Sequence, residues 1–431
     1  MQTNNGTDHP VRIPLAVAPI EQGRPIPPKE ENPLNSPNAT FERQRTLRVD
    51  QNGSLVAPGW LTEAFTAFAA GKISEDQLRE VQDKAIREVV GKQEAIGLPI
   101  ISDGEFRRRN FQESFSNAVS GYDVPVGMDR AVARFEPNAP LNRTEQNFQG
   151  VGPAVITRRR TLEKLKLVRN VIAEEYRFTS SVAKAPVKVS LIGPDRISQR
   201  FSWEESREVY RDIDEFIADV VAIERQMIQE LVDAGCRYVH MDAPGFTAYV
   251  DERSLERMRS RGEDPDKNLA RAIKAENDVI RGFPGVTFAL HICRGNPRGS
   301  DPKTGKILPQ WHREGHYDAI AERLFSGLDH HRLLLEYDSE RAGDFTPLRF
   351  VPKGKIAVLG LVTTKVAELE SKDDLKRRID DATRYLPLDQ LALSPQCGFS
   401  SGVGAIQLAE ADQWRKFERI IETAREVWKT D

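Results

Sequence analysis

The chain has 431 residues, a formal net charge of -3 and 39% hydrophobic residues. That length supports a large core in one big or two smaller domains, and the near-neutral balance argues against nucleic acid or an anionic membrane as the main partner. No run approaches the ~18 apolar residues of a membrane span, the polar start MQTNNGTDHP lacks the core of a signal peptide, and Cys236, Cys293 and Cys397 are too few for a disulfide scaffold. A cytoplasmic location is expected.

Residues 1–60 are rich in Pro, Asn and Gln and read as an extended arm. Residues 61–431 read as one catalytic domain. Short apolar runs occur at 12–18, 98–104, 186–194, 236–245, 286–295, 332–338, 355–362 and 389–398. Most are β-branched and continuous rather than alternating, as in parallel strands buried on both faces. Between them lie helical patterns. The stretch from Glu204 to Gly235 repeats apolar residues at helical spacing and ends on a Gly suited to a C-cap. Helical patterns also precede the second run and flank the eighth. Strand candidates followed by helices predict an α/β (β/α)8 TIM barrel; a doubly wound open sheet is the alternative. Residues 107–180 are too many for one connection and read as a helical insertion after the second strand, covering the barrel mouth. Within it, RRRTLEKLKLVRNVIAEEYRF reads as one helix.

A barrel places its chemistry just after the strands. Those positions hold Asp103, Glu105 and Arg107 after the second run, and Asp195 and Arg196 after the third. His240 and Asp242 follow the fourth, His291 and Cys293 the fifth, Glu336 and Asp338 the sixth, Lys365 the seventh and Cys397 the eighth. His291, Cys293, Glu336 and Cys397 thus converge as nitrogen, sulfur, oxygen and sulfur donors. That is a tetrahedral zinc set, whereas Mg or Ca would want oxygens. The bland reading makes both cysteines core thiols and Glu336 a salt-bridged strand end. Two thiolates and a carboxylate overcompensate the dication, so such a zinc is poor at activating water. It suits activation of an incoming thiol, whose proton the metal displaces. The expected reaction is alkyl transfer to a thiol.

These residues resemble the cobalamin-independent methionine synthase family, in its catalytic C-terminal barrel, from about residue 95 onward. The resemblance implies zinc bound by a His-x-Cys pair (His291, Cys293), a Glu (Glu336) and a Cys in a CG turn (Cys397). DGEF resembles the family's HGE turn, which gives Glu105, with Asp103 beside it, to the amino group of homocysteine. HMDAPG is similar to IDEPA, which makes Asp242 both substrate-binding and catalytic. Lys365 stands where the family often has a proton-relaying His, and Arg200 where it has a Trp that stacks on folate. LAVAPIEQG occupies the place of the family's GSF turn, and one barrel fits where methionine synthases have two. The chain therefore resembles the single-barrel members, with the zinc half of the site kept and the donor half altered.

The implied function is zinc-dependent methyl transfer to a small-molecule thiol, homocysteine or similar. It resembles that of 5-methyltetrahydropteroyltriglutamate–homocysteine S-methyltransferase. One alternative is an alkyltransferase of the epoxyalkane–coenzyme M type, with Arg107, Arg196, Arg200 or Arg294 meeting an anionic thiol or donor. Others are a zinc-free decarboxylase or lyase working through Asp103, Glu105 and Asp242, and a binding protein with a closed structural zinc. No oligomeric state is indicated.

Overall fold

The computed structural model of the protein describes residues 37–123, 158–296, 298–300, 307–311, 313–400 and 408–429. The predicted first strand, at 12–18, lies outside them. At the centre is a parallel sheet of six strands. They are β3 (Val189–Ile192), β4 (Tyr238–Asp242), β5 (Thr287–Ile292), β8 (Arg332–Glu336), β9 (Ile356–Val362) and β10 (Leu391–Pro395), ordered β10-β9-β8-β5-β4-β3. Every residue of these strands is buried, as the continuous apolar runs require.

Isolated parallel bridges extend both edges. Val49 pairs with Leu393 next to β10, and Ile101 with Val187 next to β3. These outer segments also touch each other. Leu55 N donates to Gly104 O at 3.1 Å, Gln51 Nε2 to Ile100 O at 2.9 Å, and Ser102 Oγ to Gly53 O at 3.2 Å. Part of the predicted arm is thus ordered: α1 (Pro37–Arg45) leads into the Val49 segment.

Helices pack outside the sheet. α2 (Gly59–Ala69) and α3 (Glu75–Ala95) come from one predicted helical pattern, divided at Gly71 with its positive φ. Ser74 then starts α3 with a reciprocal capping box to Gln77. α7 (Ile213–Asp233) begins only at its Asp212 cap, later than the Glu204 expected from periodicity. Its Phe216, Val220, Met227, Ile228 and Leu231 are fully buried. Each contributes roughly 1.5–3 kcal/mol of apolar transfer.

The predicted helix over 158–178 is corrected. Its first half is β2 (Thr161–Leu167), antiparallel to β1 (Val119–Tyr122). Burial in TLEKLKL does not follow a simple period of two, since Thr161 and Leu165 bury while Leu162 and Glu163 are exposed; pairing with β1 makes it a strand. The helix starts afterwards, as α5 (Val171–Val182), where Asn170 Oδ1 accepts from Ala173 N. A second strand pair, β6 (Arg298–Ser300) with β7 (Ile307–Trp311), follows β5 and was not anticipated. Among the described residues no helix is long and apolar enough to cross a membrane.

Candidate metal centre and substrate pocket

Strand register brings the predicted residues to one end of the sheet. Asp242 ends β4 and pairs with His291 near the end of β5. Glu336 ends β8 opposite Gly360. Cys397 follows β10 in a turn pressed against Ser54; a Cβ on Gly398 would stand 2.5 Å from Ser54 Oγ, so a larger residue there would have to displace Ser54.

His291, Cys293 and Cys397 form one cluster, with donor atoms all within 4.8 Å of one another. Both ring nitrogens of His291 are buried without a hydrogen-bond partner. Buried polar atoms are seldom left so, and a metal with bonds of about 2.0 Å to nitrogen and 2.3 Å to sulfur would use one of them. The two thiols share their proton. A hydrogen bond from Cys397, and then the charge of His291, hold Cys293 far below the ordinary thiol range despite its burial. The same hydrogen bond raises Cys397. The donor set therefore already favours a thiolate, the form that binds metal.

Glu336 stands beside this cluster but outside it. Arg341 and Lys365 both reach its Oε1, the latter at 3.1 Å, and the Arg294 backbone N donates to its Oε2. Those cations overcome burial and keep Glu336 ionised. The bland reading of a salt-bridged strand end thus describes its position here. Lys365 is held between Glu336 and Asp338, 2.7 Å from the latter's Oδ2.

An acidic wall adjoins the cluster. Asp103 Oδ1 accepts from Glu105 N at 2.9 Å. Glu105 has a positive φ of 61°, uncommon without Gly and often found at functional sites. Its Oε1 lies 3.5 Å from Arg108, a guanidinium mainly engaged by Glu175. Asp103 Oδ2 and Glu105 Oε1 are buried and lack hydrogen-bond partners. Burial pushes Glu105 up to about 8; Arg108 opposes this, while Asp242, Asp103 and Glu175 add to it. Such a carboxyl is prepared for a cation.

Sequence reading missed two features here. Gly53-Ser54-Leu55 is a turn of the kind it failed to find. A Cβ on Gly53 would lie 2.2 Å from Glu105 Oε1, and Ser54 O accepts from Phe399 N at 2.8 Å. The signal was present in QNGSLVAPGW, a Gly-Ser-apolar stretch just before a helix. The second feature lies at the strand starts. Asp50 Oδ1 accepts from Lys188 Nζ at 2.8 Å and its Oδ2 from Arg332 Nε at 3.0 Å; Tyr238 OH donates to it as well. Lys188 Nζ also lies 3.0 Å from His240 Nδ1, and His240 Nε2 lies 3.0 Å from Asp242 Oδ1. An ammonium only donates, so Nδ1 accepts and the imidazole proton sits on Nε2, aimed at Asp242. Burial, with Lys188 next, lowers His240 to about 4. Burial works against ionised Asp242, but His240 and His291 hold its acidity below the ordinary value.

The arginines divide. Arg107 pairs with Asp83 at 2.5 Å and lies over Phe178. Arg294 donates to Gly315 O at 2.9 Å and stacks on Tyr317. Arg107 is held by the Asp83 carboxylate, whereas Arg294 keeps a buried Nη2 without a hydrogen-bond partner. Arg196 Nε donates to Gln112 Oε1 at 3.2 Å. Arg200, the C-cap of α6 (Pro194–Gln199), is half-buried nearby. Arg313, unnoticed in the sequence, is 2% exposed and donates to Pro244 O and, at 3.3 Å, to Thr247 Oγ1. Thr247 Oγ1 in turn donates to Cys293 O at 2.8 Å.

Comparison with known proteins adds independent findings. Residues 60–138 match the family described as cobalamin-independent synthase, catalytic domain. The chain is 34% identical over 391 residues to the uncharacterized protein YxjH of Bacillus subtilis (strain 168), covering 90% of this chain and 96% of that protein. It is 24% identical over 349 residues to methionine synthase of Pyrococcus abyssi, covering 80% and 84% of the two chains. The B12-independent methionine synthase from Shewanella sp. W3-18-1, solved in complex with selenomethionine, has a similar fold. The TM-score is 0.63 at 18% identity, over 89% of this chain and 98% of that one.

Proposed function

The chain belongs to the cobalamin-independent synthase catalytic-domain family, and from that premise we propose that it methylates the sulfur of a small amino-acid thiol, homocysteine or similar, at His291, Cys293 and Cys397. The observation that carries this reading is the cluster itself: three buried N, S and S donors within 4.8 Å at strand ends. We read the sheet and its two bridged edge segments as an eight-stranded barrel with this site at its mouth; of the expected cover at 107–180, residues 124–157 lie outside the described residues. The names of its relatives, and the selenomethionine bound by the Shewanella protein, agree with a methionine-forming reaction.

A zinc ion held by His291, Cys293 and Cys397, with Glu336 as fourth ligand in exchange for its ion pairs, would supply the charge that favours a thiolate on the acceptor. The chain's own residues do the rest. Glu105 and Asp242, with Asp103 fixing the Glu105 turn, receive the ammonium group and so orient the sulfur. His240 and Lys188 hold Asp242 in place. Lys365 keeps positive charge at the mouth. In the transfer the acceptor loses its S–H proton, the donor–methyl bond breaks, an S–CH3 bond forms, and the donor leaves with the electron pair. Positioning of this kind supplies much of the rate in a two-substrate displacement.

The direct test incubates zinc-loaded protein with homocysteine and candidate methyl donors and follows thioether formation by mass spectrometry. Full turnover by metal-free protein would sink the reading. One observation favours a second: a carboxyl raised to about 8, Glu105, also suits a general acid–base in a zinc-free lyase. Elemental analysis of the purified protein separates the two.

A further inference from the structure

Arg196 and Arg313 are buried charges that the reaction above leaves without a task. They are 1% and 2% exposed. Among the described residues neither has a carboxylate within 4.0 Å, although shorter ion pairs are common elsewhere in the chain. Arg196 Nη1 and Arg313 Nε are buried donors with no hydrogen-bond partner. The remaining bonds aim the two groups rather than neutralise them: Gln112 takes Arg196 Nε, while Pro244 O, Thr247 and Gln199 take the Arg313 fork. The nearest acid, Asp195, is occupied by Tyr249 OH at 3.0 Å and Gln199 Nε2 at 3.0 Å. Asp195 acts on both and Asp251 on Arg313, but a desolvated guanidinium with no carboxylate in ion-pair range is costly, and the two repel each other as well.

We propose that Arg196 and Arg313 form a subsite for an oxyanion carried by the methyl donor, adjoining Cys293. Position separates this subsite from the acceptor's. The strongest charges acting on Arg196 are Arg313, Arg200, Asp195 and Cys293; those acting on Glu105 are Arg108, Asp242, Asp103 and Glu175. The amino-acid thiol is short, and its ammonium is on the acidic wall. The acceptor's own carboxylate is the competing occupant, and homocysteine affinity in the variants decides between it and the second substrate. Arg forks suit planar carboxylates and tetrahedral phosphates or sulfonates alike. The proposal rests on the reading of the acidic wall as the acceptor site, and it names the donor as anionic.

The test uses calorimetric titration of the full-length protein with sodium acetate and, separately, sodium sulfate, in chloride-free buffer. Arg196→Met should weaken binding of the preferred anion at least tenfold, while bound zinc and homocysteine affinity stay as in the wild type. Arg196→Lys, which keeps the charge and loses the fork, should fall between, and it serves if the Met variant does not fold. The preference for acetate or sulfate tells a carboxylate donor from a phosphate or sulfonate one. Equal anion affinity in wild type and both variants overturns the subsite, even if zinc binding and methyl transfer are intact. Loss of anion binding with homocysteine affinity unchanged upholds it, even if no methyl transfer is ever detected, and a parallel loss of homocysteine affinity overturns the assignment to the donor.

Discussion

The two ends of the strands carry buried charge in opposite ways. At the strand starts, Asp50, Lys188, Tyr238 and Arg332 answer one another within one network, although Arg332 Nη2 has no hydrogen-bond partner. At the strand ends, Asp103, Glu105, Arg196, His291 and Arg313 all keep buried atoms with no hydrogen-bond partner. Buried polar atoms are seldom left without a partner, so a cluster of them at one end of a sheet calls for an explanation. The first network holds the sheet together; the second set is where we propose that ligands bind. His240 joins them, touching Lys188 below and Asp242 above.

The sharpest way to break this contrast is Cys397→Ser. It should lose stoichiometric zinc and lower methyl transfer by about a thousandfold or more. Metal analysis and turnover check it, and retention of both would return Cys397 to the core-thiol reading. Next is Asp50→Asn, which leaves two buried cations short of a counter-charge. Denaturant unfolding should show a loss of about 3–5 kcal/mol, with unchanged metal per folded molecule. An equally severe loss of stability from Glu105→Gln would erase the distinction between the two ends.

For Glu105→Gln the expected result is different: stability equal to or above wild type at neutral pH, and a thiol KM raised about 10–100-fold, the size of a lost charged hydrogen bond. Its pH dependence follows from sign. The folded carboxyl is raised from 4.5 to about 8. Folding then binds a proton, so the stabilisation is full below pH ~4.5 and is lost as pH rises through about 8. Asp195, raised by burial to about 6, acts in the same direction. Thermal melts from pH 5 to 8 should therefore fall more steeply for wild type than for Glu105→Gln; parallel curves would contradict the assigned environment. The smallest effect is expected from His240→Gln, which keeps a donor near Asp242. Turnover should drop several-fold and stability by about 1 kcal/mol. A collapse of metal content in this variant would show that the joining residue is part of the metal centre.

Legibility followed the same divide. His291, Cys293 and Cys397 could be found because each follows an apolar run, and the end of a buried parallel strand is a position that periodicity marks. Glu336 was located correctly at its strand end, but its pairing with Arg341 and Lys365 was hidden. Both cations come from later loops whose path no local pattern reveals. Arg313 was missed for that reason. Arg107 was overvalued, because a charge next to a motif looks functional until Asp83 is seen to hold it. TLEKLKL misled because it sits beside a helical pattern and its buried residues, Thr161 and Leu165, stand at helical spacing. Only pairing with Val119–Tyr122 makes it a strand.

By itself the sequence determined the alternation of buried strands with amphipathic helices, the family, and which side chains end the strands, because these depend on periodicity and short motifs. The tertiary structure alone decided which charges are satisfied. A hydrogen bond or ion pair joins residues such as Asp50 and Arg332 that lie far apart in the chain, and burial makes each such pairing, or its absence, energetically decisive.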